Sequence, residues 1–220
     1  NDNFVTIHNG IDINKIKNFI QNNSREKLKK QYGFSESDKL FIIVGTLCLR
    51  KGQSEFTQAA IRFMNENTNK NFKFLLIGAR GDEYELRIRQ LIRENNYENN
   101  IFLIKENPEV YAYFLISDYF VCNSYIESFP RVILEAMAFG LPIIATNIYG
   151  IPEQIENNKD GILITAGDTI ELGKKMKWIT ENNKDVKKFI QISSKKVERE
   201  FSIELMLEKY KLLIEEICVE

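Results

Sequence analysis

The chain has 220 residues, 44% hydrophobic and 11% aromatic, which suffices for one large or two small cored domains and excludes a disordered chain. Thirty Lys and Arg balance 31 Asp and Glu at a net charge of −1, so there is no global pull toward nucleic acid or an anionic membrane, and phosphate binding needs a local site. One histidine, His8, and three scattered cysteines, Cys48, Cys122 and Cys218, exclude the usual zinc sites, make a Ser-His-Asp hydrolase a poor fit, and read as free thiols in a reducing, cytoplasmic setting.

The opening "NDNFVTIHNG" reads as a strand leading to a turn, and its lack of Met suggests a piece of a longer protein. A helix is expected within 13–32. "LFIIVG" (40–45) reads as a strand apolar on both faces, followed by "GTLCLRKG", in which Gly45 and Gly52 bracket Arg50 and Lys51 ahead of a helix at 53–67. Such a loop suits an anion, since glycines admit close approach and the cations flank a helix N-terminus. Taken alone, it reads first as an ordinary turn with solvated basic residues. "FKFLLIG" (72–78) leads into "GARGDEYE" with Gly78 and Gly81, then a helix at 83–96. This loop is neither G-x-G-x-x-G nor a Walker loop. "NIFLI" (100–104) precedes a helix at 108–116, and "DYFVCNS" (118–124) a helix at 130–139. "PIIAT" (142–146), a short helix at 151–156 and "GILIT" (161–165) complete the alternation. Six short strands apolar on both faces, alternating with helices, predict an α/β doubly wound, Rossmann-like parallel sheet. Beyond 168 three helices follow, with Asp168, Asp185 and Ser202 as expected N-caps. No run approaches the ~18 apolar residues of a membrane span.

Ligands of open parallel sheets bind beyond the carboxyl ends of the strands, which directs attention to "NSYIESFPRVILEAMAFG" (123–140). Ser128 or Phe129 is the expected cap, Pro130 lies in the first turn, Gly140 stands past the end and Pro142 follows. The helix N-terminus favours an anion such as a diphosphate. Glu127 precedes this helix; Glu135 lies within it among apolar neighbours. A buried carboxylate needs a partner. Glu135 therefore either faces solvent or accepts hydrogen bonds from a ligand such as a ribose diol, and spacing leaves both readings open.

The stretch "SYIESFPRVILEAMAFGLPIIATNIYGIPEQIENNKDGILI" closely resembles the donor-binding signature of family 4 retaining glycosyltransferases, enzymes of the GT-B fold with an E-x(7)-E motif. "IHNGID", "VGTLCLRKG", "FLLIGARGD" and "ISDYFVCNS" extend the resemblance over nearly the whole chain. It implies one half of a GT-B fold: residues 1–220 form the nucleotide-sugar donor domain, mainly helical over 168–220, with an acceptor-binding N-terminal domain elsewhere in the same protein. The implied roles are Glu135 on the ribose hydroxyls, Glu127 beside the transferred sugar, and Lys51, with Arg50, stabilising the leaving diphosphate. Ser128, Phe129, Pro130 and Arg131 would lie near sugar and diphosphate. Gly45, Thr46, Gly78, Arg80 and Gly81 would border the nucleotide. The implied substrate is a UDP-sugar, with no cofactor or metal and no nucleic acid, in surface polysaccharide or glycoconjugate synthesis at the cytoplasmic side. Membrane association would come through the other domain, and the isolated domain would be inactive. Thr46 departs from the family's frequent Arg, "FLIKEN" lacks a glycine near the base, and Tyr149-Gly150 replaces a Gly pair. A sugar-nucleotide epimerase domain and a non-catalytic nucleotide-sugar module remain as alternatives. A Rossmann dehydrogenase fits poorly, because no strand is followed by G-x-G-x-x-G.

Overall fold

The computed structural model describes residues 4–67, 69 and 71–219. Its centre is a sheet of β1 (Lys39–Val44), β2 (Phe72–Ala79), β3 (Ile101–Lys105), β4 (Tyr119–Cys122), β5 (Ile143–Thr146) and β6 (Ile162–Ile164). The six strands are all parallel, in the order β3-β2-β1-β4-β5-β6. The helices are α1 (Ile13–Asn22), α2 (Arg25–Gln31), α3 (Gln53–Glu66), α4 (Glu83–Glu94), α5 (Val110–Ile116), α6 (Arg131–Ala138), α7 (Ile151–Gln154), α8 (Thr169–Glu181), α9 (Asn183–Glu200) and α10 (Ile203–Val219), with a 3-10 turn at Leu49–Lys51.

The continuous apolar strands have the cause expected of them: both faces are covered. Phe41 and Ile43 point into one core with α3, α4 and α8, through Phe56, Phe63, Ile88 and Met176. Their neighbours Leu40 and Ile42 point into a second core with α1, α5 and α6, through Ile16, Phe114, Leu134 and Met137. α9 closes both layers, with Phe189 in the first core and Val197 in the second.

Several local expectations change. The lead-in is not a strand: Asn1 to Asn3 lie outside the described residues, 4–10 run irregularly, and only Ile11 pairs, in an isolated bridge to Ser202. The stretch 13–32 is two helices, broken where Ser24 caps α2 by accepting from Lys27 N. α6 starts one residue later than expected, with Pro130 as its N-cap and no side-chain cap. Asn182 caps α9, which puts Asp185 in its first turn, whereas Asp168 and Ser202 do cap their helices, Ser202 by accepting from Leu205 N.

α10 differs from every helix before it. None of its described side chains is buried, and Leu207, Tyr210, Leu212, Ile214 and Ile217 are exposed. Among the described residues no helix is long and apolar enough to cross a membrane.

Candidate functional site

The strand order reverses between β1 and β4, and at such a switch point adjacent loops diverge and leave a crevice. The loop after β1 carries Lys51 and the loop after β4 carries Glu127, and their side chains form an ion pair. The pair is well enclosed, with side-chain exposures of 16% and 10%, and Ser124 Oγ donates to the same carboxylate oxygen at 3.1 Å. Burial, with Glu127 adding to it, pushes the nearby Cys122 thiol up to about 11, so this cysteine stays protonated and inert.

The loops are braced from behind. Gln53 donates to the carbonyls of Gly45 (3.2 Å) and Thr46 (3.1 Å), and Asn123 Nδ2 donates to Gly52 O at 3.0 Å. Gly78 packs so closely that a Cβ there would lie 2.3 Å from Gly45 O, and its φ of +122° also favours glycine. Gly45 and Gly78 are thus matched across β1 and β2 at the carboxyl edge.

Other expected residues are placed less centrally. Arg50 is exposed and its carbonyl accepts from Tyr125 N at 2.7 Å. Arg80 pairs with Glu106 at 2.8 Å in the loop after β3. The Gly81 amide donates to Glu85 at 2.7 Å while Asp82 accepts from Glu85 N, a reciprocal cap that turns this amide into the start of α4. Ser128 is exposed, Phe129 half-buried, Pro130 buried and Arg131 exposed at the entrance of α6.

Glu135 lies one turn inside α6. It lines a cleft of about 570 Å³ with Lys15, Phe19, Tyr32, Glu109 and Tyr111. Burial raises its carboxyl to about 7, against the opposing pull of Arg131 and Lys15. Tyr111 is likewise raised, by burial first and by Glu135 second, and Lys15 Nζ stands 5.8 Å from the Tyr111 ring centroid. The side chain is half-buried and has no ion pair within 4 Å among the described residues. Its electrostatic state suits a ligand that donates hydrogen bonds. Lys15, Tyr111 and Ser124 were missed by sequence reasoning. Lys15 lies 120 positions before Glu135, and no local spacing connects them; Ser124 stood inside the quoted motif and its place three residues before Glu127 was the available signal.

Residues 24–196 match the family model "Glycosyl transferases group 1". A similar curated protein is the N-acetyl-alpha-D-glucosaminyl L-malate synthase of Bacillus anthracis, 34% identical over 163 residues, which cover 72% of this chain and 42% of that protein. Among solved structures, a glycosyltransferase from Rickettsia africae superposes with a TM-score of 0.90 at 24% identity, over 99% of this chain and 58% of that one. The Anabaena HepE protein, crystallised with UDP, superposes at 0.84 with 22% identity, over 96% of this chain and 57% of that one. The chain thus spans about half the length of these three proteins. With the family model covering most of its residues and the sheet of a GT-B half at its centre, the chain belongs to the group 1 glycosyl transferases.

Proposed function

We propose that this chain holds the nucleotide-sugar donor in a retaining glycosyltransferase of surface polysaccharide or glycoconjugate synthesis. The observation that carries this reading is the Lys51–Glu127 pair at the reversal of strand order, beside the open N-terminus of α6. In this reading the ribose diol donates to Glu135, and the diphosphate lies against Lys51 and the first amides of α6. As the bond from sugar C1 to the diphosphate oxygen breaks, charge on the sugar ring rises and negative charge grows on the diphosphate. Lys51 and the α6 amides, fixed before reaction, stabilise that charge, and no metal is required. Glu127 stands where it would meet the sugar hydroxyls once Lys51 turns to the phosphates.

The acceptor site belongs, in this proposal, to another domain of the same protein. The exposed apolar side chains of α10 are surface of the kind that another domain covers. The isolated chain then binds donor without transferring sugar, and the complete protein works at the cytoplasmic side of a membrane. Thr46 brings no charge where the resemblance implies an Arg, which favours, as a second reading, a module that binds donor without catalysis unless the exposed Arg50 takes that place. The test is calorimetry of UDP, GDP, ADP and CMP without metal, on the parent and on Glu135→Ala. Selective binding of one diphosphate, weakened at least about a hundredfold by the substitution, is the expected result. Equal binding by parent and variant would remove Glu135 from the site. Sugar transfer by the complete protein separates the first reading from the second.

A further inference from the structure

The segment between Glu127 and α6 is held by its carbonyls. Asn9 Nδ2 donates to Phe129 O at 3.2 Å, and Gln154 Nε2 donates to Pro130 O at 3.0 Å. Ser128 O lies against Gly150, where a Cβ would come within 1.7 Å of it. His8 keeps Asn9 in place: its ring stacks on Phe129 at 4.6 Å, and Nε2 lies 2.7 Å from Glu153 Oε2. Three successive carbonyls are thus occupied by groups from the "HNG" segment and from Gly150 to Gln154, more than a hundred and about twenty residues away respectively.

Two features show that this bracing is more than packing. In a planar trans peptide the N–H points opposite to the preceding C=O. Fixing Ser128 O and Pro130 O toward α7 therefore turns the Phe129 and Arg131 amides away from α7. Gln154, moreover, is completely buried, and its Oε1 has no hydrogen-bond partner. An unmet buried acceptor is a standing cost to stability that leucine would not carry. The fold nevertheless keeps an amide where its one used donor reaches the carbonyl preceding the Arg131 amide.

We propose that Gln154 is a positioning residue for the diphosphate of the donor: by holding Pro130 O it fixes the Pro130–Arg131 peptide plane and so aims the Arg131 amide at the phosphate oxygens. Asn9 holds Phe129 O, whose peptide nitrogen belongs to Pro130 and has no N–H to aim. This rests on the donor-site reading given above. The Gln154 side chain need not touch the ligand.

The experiment compares UDP and UMP binding by calorimetry, with melting temperatures, for the parent, Gln154→Leu, Gln154→Met and Asn9→Ala. The β-phosphate is the group that a mis-aimed amide loses. UDP affinity should fall about tenfold in both Gln154 variants, the loss of roughly one charge-assisted hydrogen bond, with UMP affinity little changed. Asn9→Ala, which frees a carbonyl with no N–H behind it, should bind UDP as the parent does. Gln154→Leu should melt no lower than the parent, and Gln154→Met provides the same reading if the leucine variant fails to fold. Parent-like UDP affinity in the Gln154 variants, equal losses for UDP and UMP, or an equal UDP loss in Asn9→Ala would overturn the positioning role while leaving the donor site intact. A parent that binds neither nucleotide would overturn the donor-site reading, and this inference with it.

Discussion

Glu127 and Glu135 stand eight residues apart, one just before α6 and one within it, and the fold treats their carboxylates in opposite ways. Glu127 has Lys51 and the Ser124 hydroxyl on one oxygen. Glu135 has only Arg131 and Lys15 at a distance, and burial raises it to about 7. The first carboxylate has its partners within the fold, and in the proposed donor site Lys51 would be drawn away from it by the diphosphate. The second has no ion pair within 4 Å among the described residues. In that proposal the same chemical group would serve as a latch just before the helix and as a seat within it. What separates the two is what lies opposite: the cationic loop of β1 for Glu127, and for Glu135 the mixed cleft between α1 and α5, where Lys15 and Tyr111 stand without an ion pair to it.

The largest effect should come from breaking the latch on one side. Lys51→Met leaves Glu127 enclosed with a single hydroxyl donor, and removing one partner of a buried pair costs about 3 kcal/mol. Lys51→Met with Glu127→Gln removes both charges and should recover most of that loss. Urea denaturation of the parent, both single variants and the double variant measures the coupling. Additive losses would mean that the pair carries no linked energy and that Lys51 is already free for a ligand.

Glu135 should report through pH. Its folded value of about 7 lies above the ordinary carboxylate value of 4.5. Between those limits the folded chain holds a proton that the unfolded chain has released, so stability falls as pH rises from about 4.5 to about 7 and the deficit is complete above that, at about 3 kcal/mol at most. Glu135→Gln removes this dependence. It should stabilise the chain by about 1–3 kcal/mol at pH 8 and by little near pH 4. Ligand binding has the opposite sign. Ribose hydroxyls donate to the ionised form, so UDP affinity should decline as pH drops below about 7, by up to about tenfold per unit, and the glutamine variant should lack that decline. Chemical denaturation and calorimetry over the same pH series check both halves. A parent whose stability is flat across this window would place Glu135 in solvent.

The latch was more legible in the sequence than the seat. Strand runs such as "LFIIVG" and "FKFLLIG" announce a sheet buried on both faces, because successive residues, pointing to opposite faces, both had to be apolar. Gly45, Lys51, Glu127 and the start of α6 follow directly from the rule that places ligands beyond the strand ends. Glu135 was ambiguous because helical periodicity reports which way a side chain points within one element. Its surroundings come from α1, a segment more than a hundred residues earlier, and Lys15 there resembles any exposed lysine. The same limit hid Gln154. A glutamine in "IPEQIE" has no periodic signature, and its role exists only through the carbonyl it meets. The helix break at Asn23-Ser24 was readable in principle, since Ser24 followed by helix formers is a cap signal, but one amphipathic pattern over 13–32 masked it.

The smallest effect is expected at the far end of the chain. Leu207 and Ile214 lie seven residues apart on one stripe of α10 and are 57% and 58% exposed. Changing both to glutamine removes little buried apolar area, so the stability of the 220-residue chain should move by less than about 0.5 kcal/mol, as at ordinary surface sites. The stripe is nevertheless apolar at helical spacing, which solvent contact alone does not require. If another domain covers it, the same two substitutions in the complete protein should destabilise that protein by about 2 kcal/mol, the worth of two buried aliphatic side chains reduced for partial burial. Thermal and denaturant unfolding of both forms measures the difference. An equal, small effect in both would assign the stripe to solvent and move the domain contact elsewhere, whereas a large effect in the short chain would mean that α10 already packs against its own domain.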